Sequence, residues 1–358
     1  MKILDWYILK RYLGTFLLML ALFVPIGITV NLAEKIGKIL ANDVPIMEVV
    51  KYYGNFTIYF ANLLFPIFLF LSVIWFTSKL ANNTEIIAFL SSGVSFSRFL
   101  RPYLVGATLV CFAALALSLF LAPSASKGFN EFKYAYLKKR SKTQETSNVY
   151  RQINDDEFVY ASNFLPKSKS ARNFMLEHFE NNELKFKITA SRLQYNDKDS
   201  TYTLTNYDKR IIGQAEDILV SKSKFDTILP FEIETLTPLS YVAETLNYFE
   251  LRDFIAEEER LGSANINTYK VEAYKRLSIP VSAFILTIIA VAVSAMKRRG
   301  GMGVNLAIGI AIAFSYVFLD KVFGTIAQKS DFSPLLAVWI PNLFFGVLAF
   351  YLLRNAKR

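Results

Sequence analysis

Apolar residues in this chain gather into six runs, each about as long as a helix needs to cross a bilayer. They are Tyr12–Ala33, Asn55–Ser78, Pro102–Ala122, Leu277–Met296, Met302–Leu319 and Pro334–Leu353. The second and third carry no charged residue. Between the third and fourth, from Lys127 to Lys275, the chain is polar and charged and holds no run of that length. There the hydrophobic period shortens to two. Leu184, Phe186 and Ile188 alternate with Glu183, Lys185 and Lys187, which predicts a strand over Glu183–Tyr195. Thr201–Ile212, Asn148–Ile153, Phe158–Ser162 and Asn173–Phe179 are similar segments, separated by polar turns such as Asn181–Asn182 and Asn196–Ser200. After Pro238 the pattern turns helical over Leu246–Leu261 and stops at Gly262, reading as a helical stalk into the fourth span. The predicted class is an α+β membrane protein: six transmembrane helices with a β-jelly-roll-like domain inserted between helices 3 and 4. The expected parts are 1–126 (spans one to three), 127–240 (β domain), 241–275 (stalk) and 276–358 (spans four to six).

Charge then orients the spans. A net charge of +10 would point to nucleic acid in a soluble protein, but here the cations stand at the ends of apolar runs. Lys2, Lys10 and Arg11 form one cluster, and Lys79, Arg98 and Arg101 a second. Lys297, Arg298 and Arg299 form a third, and Arg354, Lys357 and Arg358 a fourth. With six spans all four fall on one side, which the positive-inside rule makes the cytoplasm. Both termini are then expected inside and the long polar segment outside, in the periplasm of an inner-membrane protein. Nucleic acid is not an expected partner. The apolar run after Lys10 and Arg11 is longer than a signal peptide's and ends on no small-residue cleavage pattern, so it reads as a retained span. The single cysteine, Cys111, allows no internal disulfide, and the single histidine, His178, argues against a histidine-based metal or hydrolytic site. No metal or other cofactor is expected.

Three segments could carry function. The connection Asn82–Arg101 (NNTEIIAFLSSGVSFSRFLR) begins with N-capping residues and a first-turn acid, Glu85, and then places Ile86, Ile87, Leu90 and Val94 on one helical stripe. Such a helix either lies in the lipid interface or docks into a groove on a cytoplasmic partner. The lone acid leans toward docking, because it gains nothing from an anionic leaflet. Second, Lys35 and Lys38 stand at the outer end of the first span, where they either snorkel to headgroups or pair with the phosphates of an anionic lipid. Third, Asp320 and Lys321 close the fifth span and read as structural. No GxxxxGK[ST] phosphate loop is present, so any ATP-driven work must come from another subunit. Without clustered carboxylates or histidines, a lipid-modifying enzyme is disfavoured. A membrane receptor with a ligand-binding β domain remains as an alternative, although no cytoplasmic signalling domain is visible.

The chain resembles the LptF/LptG family of lipopolysaccharide export permeases along nearly its whole length. The likeness rests on LDWYILKRYLGTF (Leu4–Phe16) and on Glu85–Pro102, with Gly93–Val94–Ser95 and Arg98–Phe99–Leu100–Arg101–Pro102. It extends to Glu272, Arg276 and Pro280, to Gly300–Gly301–Met302–Gly303, and to Pro334 with Trp339–Ile340–Pro341–Asn342. Trp6 departs from it, since the family often has Arg after the Asp. The resemblance implies a permease subunit that extracts lipopolysaccharide, paired with a paralogous permease over a cytoplasmic ATPase dimer. It also implies transfer of lipid to a periplasmic jelly-roll bridge protein. It makes Asn83–Phe96 the coupling helix, with Glu85, Ile86, Leu90, Gly93 and Val94 toward the ATPase. Lys35 aligns with a basic position that meets lipid phosphates in the family, with Lys38 a candidate beside it, and spans one and five are implied to flank a lateral opening.

Overall fold

A computed structural model describes residues 3–137, 147–165, 168–197, 199–213, 216–231, 241–263, 265–295 and 301–356. Pro238, Gly300 and the basic residues Lys2, Lys297, Arg298, Arg299, Lys357 and Arg358 lie outside that set. The chain divides into two compact units, one of Met1–Lys138, Glu244–Tyr248 and Asn267–Arg358, the other of Lys139–Ala243 and Phe249–Ile266.

The first unit is a helical bundle. Its elements are α1 (Ile3–Ala41), α2 (Ile46–Asn82), the short α3 (Glu85–Ser91), α4 (Phe96–Ala116) and α5 (Ala122–Phe132). Among the described residues six helices are long and apolar enough to cross a membrane. They coincide with the six predicted runs but are longer. α1 has 39 residues, about 58 Å at 1.5 Å per residue, roughly twice a hydrocarbon core. An apolar run marks the part of a helix that lipid can solvate. The backbone hydrogen bonds continue until something breaks them, here Asp43 at φ 47° and then Pro45, which turn α1 back into α2. The third span runs unbroken through α4 and α5 to Leu137, with wider π-helical turns at Leu117–Leu121 and Lys133–Leu137. Pro123 follows the first of these and has no N–H to give the preceding turn.

α2 is the hub, packing on α1, α5 and α9 (Gly301–Lys329). Close approach is permitted by glycine: a methyl added at Gly106 of α4 would overlap the Tyr12 ring, and one at Gly309 of α9 would overlap Ile74. Away from the α1 start, Tyr52, Phe56, Phe129 and Phe132 stack together, with Tyr52 and Phe132 centroids 4.3 Å apart. α8 (Ile266–Ser294) has 67% of its apolar stretch buried, against 6% for α1. Besides apolar packing of Val271, Ala327 and Val338, a polar chain ties α8 to α9 and α10 (Pro334–Ala356): Tyr316 donates to Asn342 Oδ1 at 3.1 Å, and Asn342 Nδ2 donates to Ser278 at 2.7 Å. α8 begins eleven residues before the predicted span, so Arg276 is buried within it, one turn from Glu272. Glu272 and Arg276 thus stand in the turn of α8 that leads into the predicted span. Asp320, moreover, pairs with Lys275 of α8 at 2.8 Å.

The second unit is one six-stranded antiparallel sheet in sequence order: β1 (Ser147–Gln152), β2 (Glu157–Leu165), β3 (Ser170–Glu180), β4 (Glu183–Asn196), β5 (Thr201–Ile211) and β6 (Ile218–Thr227). The jelly-roll-like domain thus takes the form of a meander. β6 was not predicted. Asn181 and Asn182 at φ 51° and 64° make the two-residue β3–β4 turn that their composition suggests.

The sheet is creased. Ladder pairing is interrupted along one row, Ser162–Asn173–Ser191–Asn206–Ser223, bracketed by pairs such as Asn163↔Arg172 and Ala161↔Phe174. Asn173 and Asn206 adopt φ 48° and 51°, which Asn tolerates better than most residues. The Asn173 amide donates to Ser162, and the Ser191 hydroxyl to the Thr205 carbonyl. Because of the crease, residues three apart face the same way. Ala171 and Phe174, Ala190 and Leu193, and Leu204 and Tyr207 all enter one apolar core.

The helix predicted as a stalk is not a continuous rod. α6 (Val242–Thr245) and α7 (Tyr248–Arg260) are separate, and α7 ends at Gly262, φ 65°. The Gly262 and Ser263 amides bond back to Glu259 and Glu258, a Schellman cap. α7 belongs with the sheet, where Glu258 accepts two bonds from Arg151 of β1 at 2.8 and 2.7 Å. Both side chains are about 5% exposed. Removing one partner of such a pair strands a charge, at about 3–5 kcal/mol, whereas an apolar pair of similar volume is often neutral. Arg151→Met is therefore expected to lower the thermal midpoint for proteolysis within residues 147–260, and Arg151→Met with Glu258→Leu to recover most of it.

Candidate functional site

The α2–α4 connection is the most constrained short segment of the bundle. α2 ends at Asn82, and Thr84, at φ 60°, turns the chain sharply before α3 starts. α3 spans only seven residues, shorter than the predicted Asn83–Phe96, because left-handed residues stop it at both ends. No side chain caps its start. At its other end Gly93 sits at φ 84°, the Gly93 amide bonds Leu90 O, and the Val94 amide bonds Phe89 O, a complete Schellman motif. Ser95 then caps α4 by accepting the Arg98 amide.

The start of α1 clamps this segment. Tyr7 donates its hydroxyl to Glu85 Oε2 at 3.2 Å, and the Asn83 amide reaches Glu85 Oε1 at 3.3 Å. Arg98 donates to Asp5 Oδ2 at 2.8 Å, with Asp5 buried. Ile86 is 2% exposed and belongs to the bundle core. Ile87 and Leu90 face out, 54% and 39% exposed. The predicted contact set therefore divides. Ile86 is an anchor rather than a surface residue, Glu85 faces α1, Leu90 and Gly93 are exposed, and Val94 is half-buried. Sequence reasoning did not single out Asp5 or Tyr7. Both lie in the N-terminal motif and Arg98 in the Glu85–Pro102 motif, so the two motifs meet in space.

Lys35 and Lys38 lie at the far end of α1. Lys35 forms an ion pair with Glu34, and Lys38 is exposed, its carbonyl accepting the Asn42 amide at 2.7 Å. Nearby, Tyr52 donates to Asn31 of α1 at 3.2 Å. On α5, Ser126 and Asn130 both reach Glu244 of α6, at 3.4 and 3.5 Å.

Six apolar helices, a β unit inserted between the third and fourth, and a clamped short helix between the second and third define a multi-pass membrane protein. Residues 6–355 match the family described as "Lipopolysaccharide export system permease LptF/LptG". The chain belongs to that family. A search of curated proteins finds no match to this sequence.

Gly93 supplies a left-handed residue with open space around it, so the strain of a substitution there is purely backbone. Gly93→Ala is expected to cost about 1–2 kcal/mol at the α3 cap, seen as faster amide exchange at Gly93 and Val94, and Gly93→Asn distinctly less.

Proposed function

We propose that this chain is the permease subunit of an ABC-type exporter that lifts lipopolysaccharide out of the inner membrane. The termini and α3 lie in the cytoplasm and the β unit in the periplasm, in keeping with the basic clusters. A separate cytoplasmic ATPase dimer docks on α3 and supplies the energy. A second, paralogous permease of the family packs against α1 and α9, the spans whose apolar stretches are least buried, at 6% and 22%. The β unit receives the lipid and passes it to a periplasmic jelly-roll bridge protein.

The observation that carries this reading is the split of α3. Its outer face offers Ile87 and Leu90 to a partner, while Glu85 and the neighbouring Arg98 are tied to α1. A displacement of α3 by the ATPase then moves the span most exposed to lipid. The β unit suits the other half of the task. Acyl chains gain about 0.8 kcal/mol per buried CH₂, so several chains moved into water would cost tens of kcal/mol. The lipid must therefore pass from bilayer to another apolar surface. Phe164, Phe174, Leu176, Leu193 and Leu204 line one face of the sheet as a closed core, at most 2% exposed, which the lipid would have to open.

Ile87→Asp and Leu90→Asp are expected to abolish co-purification of the ATPase while leaving the bundle folded, and Glu85→Ala to keep the ATPase bound but lose transport. Retained ATPase in both Asp variants would return α3 to the lipid interface. At the far end of α1, Lys35→Glu should weaken photo-crosslinking of lipopolysaccharide there; an unchanged yield would mean that Lys35 only snorkels.

A further inference from the structure

A cleft of about 1150 Å³ opens between α1 and α2 at the end of the bundle where α1 begins, far along α1 from Lys35 and Lys38. Its lining is graded. Lys10 and Arg11 of α1 and Lys79 of α2 stand at one end. Leu18, Leu22 and Phe23 line the other, with Trp75 beside them. Gly14 and Thr15 lie one turn beyond the two α1 cations, and a methyl added at Gly14 would meet nothing within 4 Å. The opening therefore exists because that turn carries small side chains.

Among the described residues no carboxylate forms an ion pair with these cations, and Arg11 lies 5.9 Å from the centre of the Tyr7 ring. The one carboxylate on the rim, Glu85, accepts from Tyr7 and Asn83 and offsets at most one of the three positive charges. From Arg11 to Phe23 is roughly 18 Å along α1, close to the depth of one leaflet of a ~30 Å hydrocarbon core. Leu18 and Leu22 are 59% and 49% exposed, so in the single chain the apolar part opens sideways, a stretch of α1 that the proposed second permease must leave free.

We infer that this cleft holds one anionic phospholipid of the cytoplasmic leaflet, its phosphate at Lys10, Arg11 and Lys79 and an acyl chain along Leu18, Leu22 and Phe23. Three cations in excess of one rim carboxylate, beside an apolar slot one leaflet deep, match an anionic headgroup with its tail. A transmembrane helix from a partner would leave those cations unpaired unless it brought carboxylates of its own. The lipid is not the cargo, because the cleft opens at the opposite end of α1 from the lysines proposed to meet lipopolysaccharide. It braces α1 against α2 beside the Tyr7–Glu85 contact and so supports the segment that the proposed coupling uses. For which leaflet supplies the lipid, and for its being distinct from the cargo, the inference rests on the proposed function.

The test uses the full chain in its purified complex, reconstituted in phosphatidylcholine vesicles doped with a diazirine-bearing phosphatidylglycerol or with the matching phosphatidylcholine probe. Labelling by the anionic probe should map to α1 and α2 around Leu18 and Trp75 and exceed labelling by the neutral one. The triple variant Lys10→Gln, Arg11→Gln, Lys79→Gln should reduce it about tenfold or more. Gly14→Trp, which fills the cleft and leaves every charge in place, should reduce it as strongly. Equal labelling by the two probes, or labelling unmoved by Gly14→Trp, would overturn the assignment. So would cleft residues that crosslink only to a partner subunit. Crosslinking of lipopolysaccharide near Lys35 in the same variants reads out the export proposal separately. Its loss in every variant, wild type included, would leave the phospholipid result standing.

Discussion

The ion pair between Asp5 and Arg98 holds the bundle's most outward span to the segment that precedes the third. Around it the local features agree. Tyr7, two residues on, reaches Glu85; Ser95 caps α4 so that Arg98 falls in its first turn; Gly93 turns the chain so that α3 can lie between. α1 contributes little other burial along its apolar stretch, so these polar contacts and the Ile8, Leu9, Tyr12 and Phe16 packing decide where its start sits. A buried carboxylate would be costly without its guanidinium. In the proposed coupling this link acts as a latch between α1 and α4, beside the Tyr7–Glu85 contact that reaches α3.

The six spans were readable because a twenty-residue apolar run has few other physical outcomes. Their lengths were not, because the run reports what lipid solvates and not where hydrogen bonding ends. The helix carrying Arg276 and Glu272 therefore began earlier than the hydropathy suggested. The stripe Ile86, Ile87, Leu90 and Val94 signalled a helix, but α3 ends at Ser91 and leaves Val94 beyond it. Spacing alone could not say that Ile86 turns inward while Ile87 turns out. Asp5 and Arg98 stand 93 positions apart, a pairing that only the fold brings together. Strand β6 was hidden by its own composition. Its Ser and Lys alternate at an exposed sheet edge, where charge guards against unwanted pairing, and no apolar period remains to be read.

The β unit shows a similar division between local and long-range information. Its turns follow from Asn181 and Asn182, but the crease depends on register. Ser162, Asn173, Ser191, Asn206 and Ser223 are unremarkable in sequence and become one row only when five strands are aligned. That row lets Phe174 and Ala171 share a face that strict alternation would deny them. Arg151 and Glu258 then fix α7 to the same sheet. The result is one apolar core gathered under a creased sheet.

The most direct test of the coupling claim is lipopolysaccharide release measured alongside ATP hydrolysis in the reconstituted exporter. Asp5→Asn should leave hydrolysis running while release falls, and the swap Asp5→Arg with Arg98→Asp should restore release toward the native rate. Native release from the Asp5→Asn variant, at an unchanged ratio of lipid moved to ATP consumed, would contradict the account, because α1 would then respond to the ATPase without the latch.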